Sequence, residues 1–200
     1  MRIIAGSLRG REIRLPKNSR VRPATGFVRE KLMSLYTPDR MASGAFLDIC
    51  AGSGLIGYES LSRGAQHVYF IEVDAQTTQA LKESAEHFAV ADKITVLRCD
   101  ARRCAQRLSK VVEQHGRISC AMLDAPYISG MAQDLLERLA AAIATGDLQD
   151  SFSADALLIV RTPDQLRSDL PGLRFIEARG CGGRDKLWIW AVETAAPPEG

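Results

Sequence analysis

No apolar run in this chain approaches the ~20 residues that a membrane-spanning helix needs. The first residues, Met1-Arg2-Ile3-Ile4-Ala5-Gly6, lack the apolar core of a signal peptide. Histidine is scarce: there are three in 200 residues, too scattered for a zinc pattern. The five cysteines, at 50, 99, 104, 120 and 181, form no C-x-x-C pair. Cys50 and Cys120 fall in runs that read as buried strands, where a thiol serves as a small hydrophobe. Internal repeats and low-complexity tracts are also missing. These absences lead us to expect a cytoplasmic protein with no disulfide framework, no metal and no membrane partner. What remains is the composition of an ordinary globule, 46% hydrophobic and 25% charged, at a length that suits one domain with a small appendage.

Net charge is only +2, but it is unevenly spread. Residues 1–31 carry nine Arg or Lys (2, 9, 11, 14, 17, 20, 22, 29 and 31) against Glu12 and Glu30, a net +7, so the other 169 residues sum to −5. A basic arm on a mildly acidic body is a footprint of nucleic-acid contact. Solvated arginines on a hairpin are the plainer alternative.

Residues 2–5 and 12–15 read as two short strands around a glycine-containing turn, and 16–24, with Pro16 and Pro23, as an extended linker. Thr25 suits the N-cap of a helix over about 26–35, which Pro38 follows and ends. Strands at 45–50, 67–72, 93–98, 118–123 and 155–161 then alternate with helices at 54–63, 75–89, 101–115 and 130–144. Such alternation predicts a parallel sheet covered on both faces. Two further strands, near 173–179 and 186–192, flank Gly180-Cys181-Gly182-Gly183 as an antiparallel hairpin. The expected division is a basic extension over 1–38, a main domain over 39–194 and a disordered tail over 195–200.

The stretch Phe46-Leu47-Asp48-Ile49-Cys50-Ala51-Gly52-Ser53-Gly54-Leu55-Ile56-Gly57 is a buried strand, a glycine-rich turn and a helix start. Gly52 and Gly54 let a ligand approach the main chain, Gly57 lets the helix pack close to the strand, and the helix start offers unpaired N–H groups. G-x-G-x-x-G by itself fits a dinucleotide as well. Glu72, twenty residues after Gly52, suits ribose hydroxyls in either case. Asp48, four residues before Gly52, tilts the reading towards S-adenosylmethionine, which has an ammonium group and no pyrophosphate.

Acids stand at four consecutive strand ends: Asp48, Glu72, Asp100 and Asp124. Open α/β sheets bind ligands there. Asp100 and the N–H of Ala101 could take an adenine, though Asp100 reads equally well as a helix N-cap; Asp74 suits a cap better than a ligand. Asp124-Ala125-Pro126-Tyr127 joins an acid, a turn and an aromatic ring. An exocyclic nucleobase amine is a poor nucleophile, because its lone pair is delocalised into the ring. A carboxylate and a nearby carbonyl that accept its protons would orient that lone pair, while Tyr127 stacks on the base. This is catalysis by positioning, with no covalent intermediate. The tetrapeptide alone would also suit an ordinary turn.

Taken together, these residues resemble the class I S-adenosylmethionine-dependent methyltransferases. More narrowly, the chain resembles the RsmD family, bacterial enzymes that modify guanine N2 in 16S ribosomal RNA. Met1-Arg2-Ile3-Ile4-Ala5-Gly6 with Arg9-Gly10-Arg11 is similar to that family's N-terminal hairpin, and Arg22-Pro23 with Val28-Arg29-Glu30 to its arginine-proline segment. Ala51-Gly52-Ser53-Gly54 with Leu61-Ser62-Arg63-Gly64-Ala65 is similar to its cofactor loop and helix. Asp124-Ala125-Pro126-Tyr127 stands where the family has Asp-Pro-Pro-Phe/Tyr. Two departures are visible: Ala125 replaces a proline, and Ala24-Thr25-Gly26-Phe27 replaces the family's Thr-Thr/Ser-Asp-Arg.

The resemblance implies an α/β, Rossmann-like class I methyltransferase fold. That means a seven-stranded, mostly parallel sheet, helices on both faces, a C-terminal antiparallel hairpin and a small N-terminal β-hairpin extension. It implies cofactor contacts at Thr25, Asp48, Cys50, Ala51, Gly52, Ser53, Gly54, Glu72, Val73, Asp100, Ala101 and Asp124. Catalysis would fall to Asp124, Ala125, Pro126 and Tyr127. RNA contacts would come from Arg2, Arg9, Arg11, Arg14, Arg20, Arg22 and Arg29. The implied partner is 16S ribosomal RNA or an assembling small subunit, met by a monomer with a flipped-out target base. Three other readings stay open on sequence alone: an adenine-N6 methyltransferase, a non-catalytic RNA-binding relative, and an NAD-dependent oxidoreductase. Asp48 and the lack of a catalytic Tyr/Lys or His set speak against the last.

Overall fold

Two strands with every residue buried form the middle of the molecule, β1 (Ala45–Ile49) and β4 (Ile118–Leu123). Their near-continuous apolar sequences suit a sheet covered on both faces. In the computed structural model, which describes residues 1–14 and 25–194, they pair in parallel, with Asp48 opposite Met122. The other strands are β2 (Val68–Glu72), β3 (Ile94–Arg98), β5 (Phe152–Thr162), β6 (Leu173–Gly182) and β7 (Asp185–Val192). The sheet order is β3-β2-β1-β4-β5-β7-β6. The first five strands in that order run parallel, and β7 is antiparallel to both β5 and β6. The chain direction of winding reverses between β1 and β4, the kind of switch point where an open sheet leaves a crevice at its carboxyl edge.

Alternation along β1 divides the core. Leu47 and Ile49 face α5 (Ala105–His115) and α6 (Met131–Ala144), in a layer with Leu108, Leu136, Ile143 and Trp190. Phe46 faces the opposite layer, which holds Leu32 of α1 (Gly26–Leu35), Met41 of α2 (Pro38–Ala42), Tyr58 of α3 (Leu55–Ser62) and Leu81 of α4 (Ala75–Phe88). Ile3, Leu8 and Ile13 of the N-terminal segment join that second layer. Each large apolar side chain so buried favours the fold by about 1.5–3 kcal/mol. Among the described residues, no helix is long and apolar enough to cross a membrane.

Four expectations need correction. The N-terminal hairpin is a single antiparallel bridge, Arg2 to Glu12, rather than two strands. Its ladder stops because the next N–H groups, of Ile4 and Ala5, donate to the Glu59 carboxylate. Pro38 separates two helices instead of only ending one: it occupies the first turn of α2, where its missing N–H costs nothing, and Thr37 caps that turn. The helix expected over 101–115 is a 3-10 turn at Ala101–Arg103 followed by α5 from Ala105. Asp48 lies within β1 rather than after it. The proposed linker over 16–24, the tail over 195–200, Arg20 and Arg22 lie outside the described residues.

Candidate active site

The turn after β1 is held in a conformation few sequences adopt. Cys50 has φ 62°, unusual for a residue with a Cβ, and Gly52 and Gly54 have φ 52° and 71°. A Cβ on Gly54 would also lie 2.2 Å from Leu81 Cδ2, so a side chain there would have to displace that buried leucine as well as strain the backbone. Ala51 N–H donates to the Ile71 carbonyl, and Gly54 N–H to the Ala51 carbonyl. Ser53 Oγ accepts from Leu55 N–H at the start of α3. A Cβ on Gly57 would stand 2.3 Å from Phe70 Cε1, the close helix-to-strand approach that its position predicts. Burial pushes the Cys50 thiol up to about 12, with nearby carboxylates pushing the same way, so it is no thiolate nucleophile.

Asp48 and Glu72 hold this turn from two sides. The Asp48 residue is 2% exposed, and its Oδ2 accepts from Gly57 N–H at 3.0 Å. Burial raises its pKa well above the carboxylate range, against the pull of that hydrogen bond. Through that hydrogen bond its carboxyl braces the start of α3. Glu72 is half-buried at the end of β2. Its Oε2 accepts from Gly52 N–H at 2.9 Å, and its Oε1 from Val73 and Asp74 N–H at 2.8 and 3.0 Å. A carboxylate has about four acceptor positions, so capacity for a ribose hydroxyl remains.

Asp74 caps α4 through Thr77 N–H at 2.7 Å, as its position suggests. Asp100 caps the 3-10 turn through Arg102 N–H at 2.9 Å and also pairs with the Arg102 side chain. It remains exposed beside Ala101 at the end of β3. Val73 projects into solvent at the same edge. Thr25, also exposed, caps α1 through Val28 N–H.

The second half of the site gathers at the end of β4. Asp124 N–H donates to the Ile49 carbonyl, which ties this corner to the glycine turn. Ala125 is buried against the core, and the Pro126 carbonyl accepts from Ile128 N–H at 2.6 Å, closing a tight turn. The turn leaves Tyr127 62% exposed. Its hydroxyl donates to Asp185 Oδ2 at 2.5 Å. Arg161, at the end of β5, grips Asp124 with two prongs, Nε to Oδ1 at 2.9 Å and Nη2 to Oδ2 at 2.8 Å. Burial raises the Asp124 pKa, and Arg161 opposes the rise.

Sequence reasoning missed Arg161 and Asp185. For Arg161 a signal existed, since it ends the apolar run Ala156–Val160 just as acids end the preceding strands. For Asp185 there was none, because its contact with Tyr127 spans 58 residues.

The basic extension divides into different environments. Arg9 and Arg14 are exposed, Arg2 pairs with Glu12 at the surface, and exposed Arg11 donates to the Phe88 carbonyl at the end of α4. Arg29 is corrected as an RNA contact: it is 8% exposed, donates to the Arg2 carbonyl at 3.0 Å and lies 3.6 Å from a Glu59 oxygen.

The family model described as Conserved hypothetical protein 95 matches residues 1–185. Ribosomal RNA small subunit methyltransferase D of Escherichia coli K12 is 30% identical over 140 residues, 70% of this chain and 66% of that protein. A Bacillus subtilis rRNA methyltransferase candidate, YlbH, is 32% identical over 127 residues, 64% of this chain and 67% of that protein. The solved structure of yhhF from Escherichia coli, a methyltransferase candidate, superposes with a TM-score of 0.71 at 25% identity, covering 96% of this chain and 98% of that one. The Thermus thermophilus 16S rRNA N2 G1207 methyltransferase RsmC, solved with AdoMet and guanosine, shares the fold alone, with a TM-score of 0.61 at 17% identity over 90% of this chain and 46% of that one. Match, fold and strand-end constellation together place this chain in the RsmD family of class I methyltransferases.

Proposed function

We propose that this chain uses S-adenosylmethionine to methylate the exocyclic N2 amine of a guanine in small-subunit ribosomal RNA, free or in an assembling subunit. The observation that carries this reading is the corner where Asp124, half-buried, and Tyr127, exposed, meet the glycine turn after β1. Relatives named as ribosomal RNA small subunit methyltransferase D support the substrate class. The guanine N2 target is the one that the resemblance to the RsmD family implies.

The residues present fit the cofactor. Glu72 has acceptor capacity for ribose hydroxyls, the Gly52–Gly54 backbone admits close approach, and Asp100 with Ala101 stands where an adenine amine and ring nitrogen would be met. When bound, S-adenosylmethionine supplies an electrophilic methyl group on a sulfonium. The protein's own task is the nucleophile. Asp124 and the Ala125 carbonyl accept hydrogen bonds from the amine's two N–H groups, which turns its lone pair out of the ring plane; the one N–H proton shed when the new N–C bond forms leaves through Asp124 to solvent, and Tyr127 offers a face on which a flipped base stacks. The exposed arginines of the N-terminal segment, Arg2, Arg9, Arg11 and Arg14, supply phosphate contacts.

The test is transfer of radiolabelled methyl groups to small-subunit particles from a strain lacking the modification, followed by mass spectrometry of the modified nucleoside. Asp124→Ala is expected to lower transfer at least about a hundredfold, as loss of a transition-state hydrogen-bonding group does, while cofactor affinity changes little. Equal loss of both would count against the assignment.

A further inference from the structure

We propose that Arg161 is the positioning residue of this site, whose two-pronged grip keeps the Asp124 carboxylate charged and aimed so that it can accept the protons of the substrate amine. The role in the reaction rests on the function proposed above; the pairing itself does not. Both partners are largely withdrawn from solvent, with side chains 9% exposed for Arg161 and 21% for Asp124. A carboxylate withdrawn to that degree without a cation tends to take up a proton, and a protonated carboxyl is a weaker acceptor for an amine N–H. The planar guanidinium meets both oxygens at 2.8–2.9 Å, a geometry that fixes the carboxylate's rotation as well as its charge. The same guanidinium lies 5.9 Å from the centre of the Tyr127 ring, so one side chain arranges both the acceptor and the stacking surface.

The groups facing Asp124 come from every strand around it. Arg161 approaches from β5, Asp185 and Cys181 from the β6–β7 hairpin, Asp48 and Cys50 from β1, and Tyr127 from its own loop. Burial and Asp185 both push Asp124 towards protonation, and Arg161 pulls against them. Lysine could supply that charge but not the fork.

The experiment has two readouts. The first is the carboxyl 13C shift of Asp124, assigned by its loss in Asp124→Asn and followed against pH in the full-length protein. The midpoint is expected to rise by about one pH unit or more in Arg161→Gln, with Arg161→Lys between Gln and wild type. The second is the pH profile of methyl transfer. Arg161→Gln is expected to lose activity as the pH falls through its raised Asp124 midpoint, approaching about tenfold well below the wild-type midpoint for a one-unit rise, and to recover to within about threefold of wild type near pH 9. S-adenosylmethionine binding and a melting curve identify a variant that has failed to fold; if Arg161→Gln fails, the Arg161→Lys titration decides. An unmoved Asp124 midpoint, or a loss of activity equal at every pH, overturns the proposal. A wild-type protein inactive on RNA would instead remove the function proposed above, and the carboxyl titration would still decide whether Arg161 sets the charge of Asp124.

Discussion

Glu59 sits in the middle of α3 with no exposed surface, and four groups converge on its carboxylate. Ile4 and Ala5 N–H donate at 2.8 and 3.1 Å, Arg63 pairs at 2.9 Å and Arg29 lies at 3.6 Å. Removing one partner of a buried ion pair typically costs about 3–5 kcal/mol, because the remaining charges stay behind unpaired. Glu59→Ala is therefore expected to lose about that much in urea unfolding. Glu59→Gln should lose less, since its amide oxygen still accepts from the N-terminal backbone; a cost for Glu59→Ala below about 1 kcal/mol would show that the network holds nothing. The sequence offered no sign of this network, and the family resemblance implied an RNA contact at Arg29, because the pairing of Arg29 with Glu59 depends on which segment covers α3. At the site, Asp124 and Tyr127 were legible because an acid, a proline turn and an aromatic ring closed an apolar strand. Arg161 was marked in the sequence only as the end of an apolar run; its pairing with Asp124 exists only once β4 and β5 lie side by side.

The N-terminal segment is an element that local rules describe poorly. The sequence reads as two short strands around a glycine-containing turn. The segment is instead a cap on the C-terminal end of α3, which explains why every residue of that helix is buried. Ser7 N–H donates to the Ser62 carbonyl at 2.8 Å, and Leu8 N–H to Ser62 Oγ at 2.9 Å. Gly6 makes this docking possible: its φ is +83°, and a Cβ built there would stand 1.8 Å from the Ser62 carbonyl oxygen. Neither backbone can yield as a flexible side chain would. Gly6→Ala is expected to undock residues 1–14 at a cost of about 2–4 kcal/mol. Hydrogen exchange should register it as lost protection at Ser7 and Leu8 with β1 and β4 unchanged; retained protection there would show that the segment tolerates the methyl. The glycine turn was readable in advance at Gly52, Gly54 and Gly57, because their spacing after an apolar strand is a local pattern even though the side chains that crowd Gly54 and Gly57 are distant in sequence. Gly6 was not, since its obstacle lies 56 positions along the chain.

At the scale of the molecule, the parallel pairing of β1 to β5 follows from alternating strands and helices, the strand order does not, and the two ends of the sheet have different chemistry. The carboxyl edge carries the site. At the opposite edge, His67 precedes β2 and stacks on His115 of α5, ring centroids 4.5 Å apart and planes 1° from parallel. His67 also shares a hydrogen bond with Thr95 Oγ1 at 2.9 Å. The three histidines looked scattered in sequence because no metal spacing joins them; the topology stacks two of them. Burial, then the neighbouring His115, lowers the His67 pKa from 6.5 to about 4. The unfolded chain therefore takes up a proton before the folded one does. Stability from this group is complete above about pH 6.5, falls as the pH drops towards 4 and is fully lost below that. The loss is on the order of 2 kcal/mol, given about 1.4 kcal/mol per pKa unit and some residual solvent contact. Asp48 and Asp124, both raised by burial, work in the opposite direction over acidic pH. The comparison that isolates the imidazole is urea unfolding of wild type against His67→Phe, in which those carboxylates are common to both. The wild type should weaken relative to the variant between pH 6.5 and 4 and track it above pH 7. Parallel curves across the whole range would mean that His67 is solvated and titrates normally in the fold.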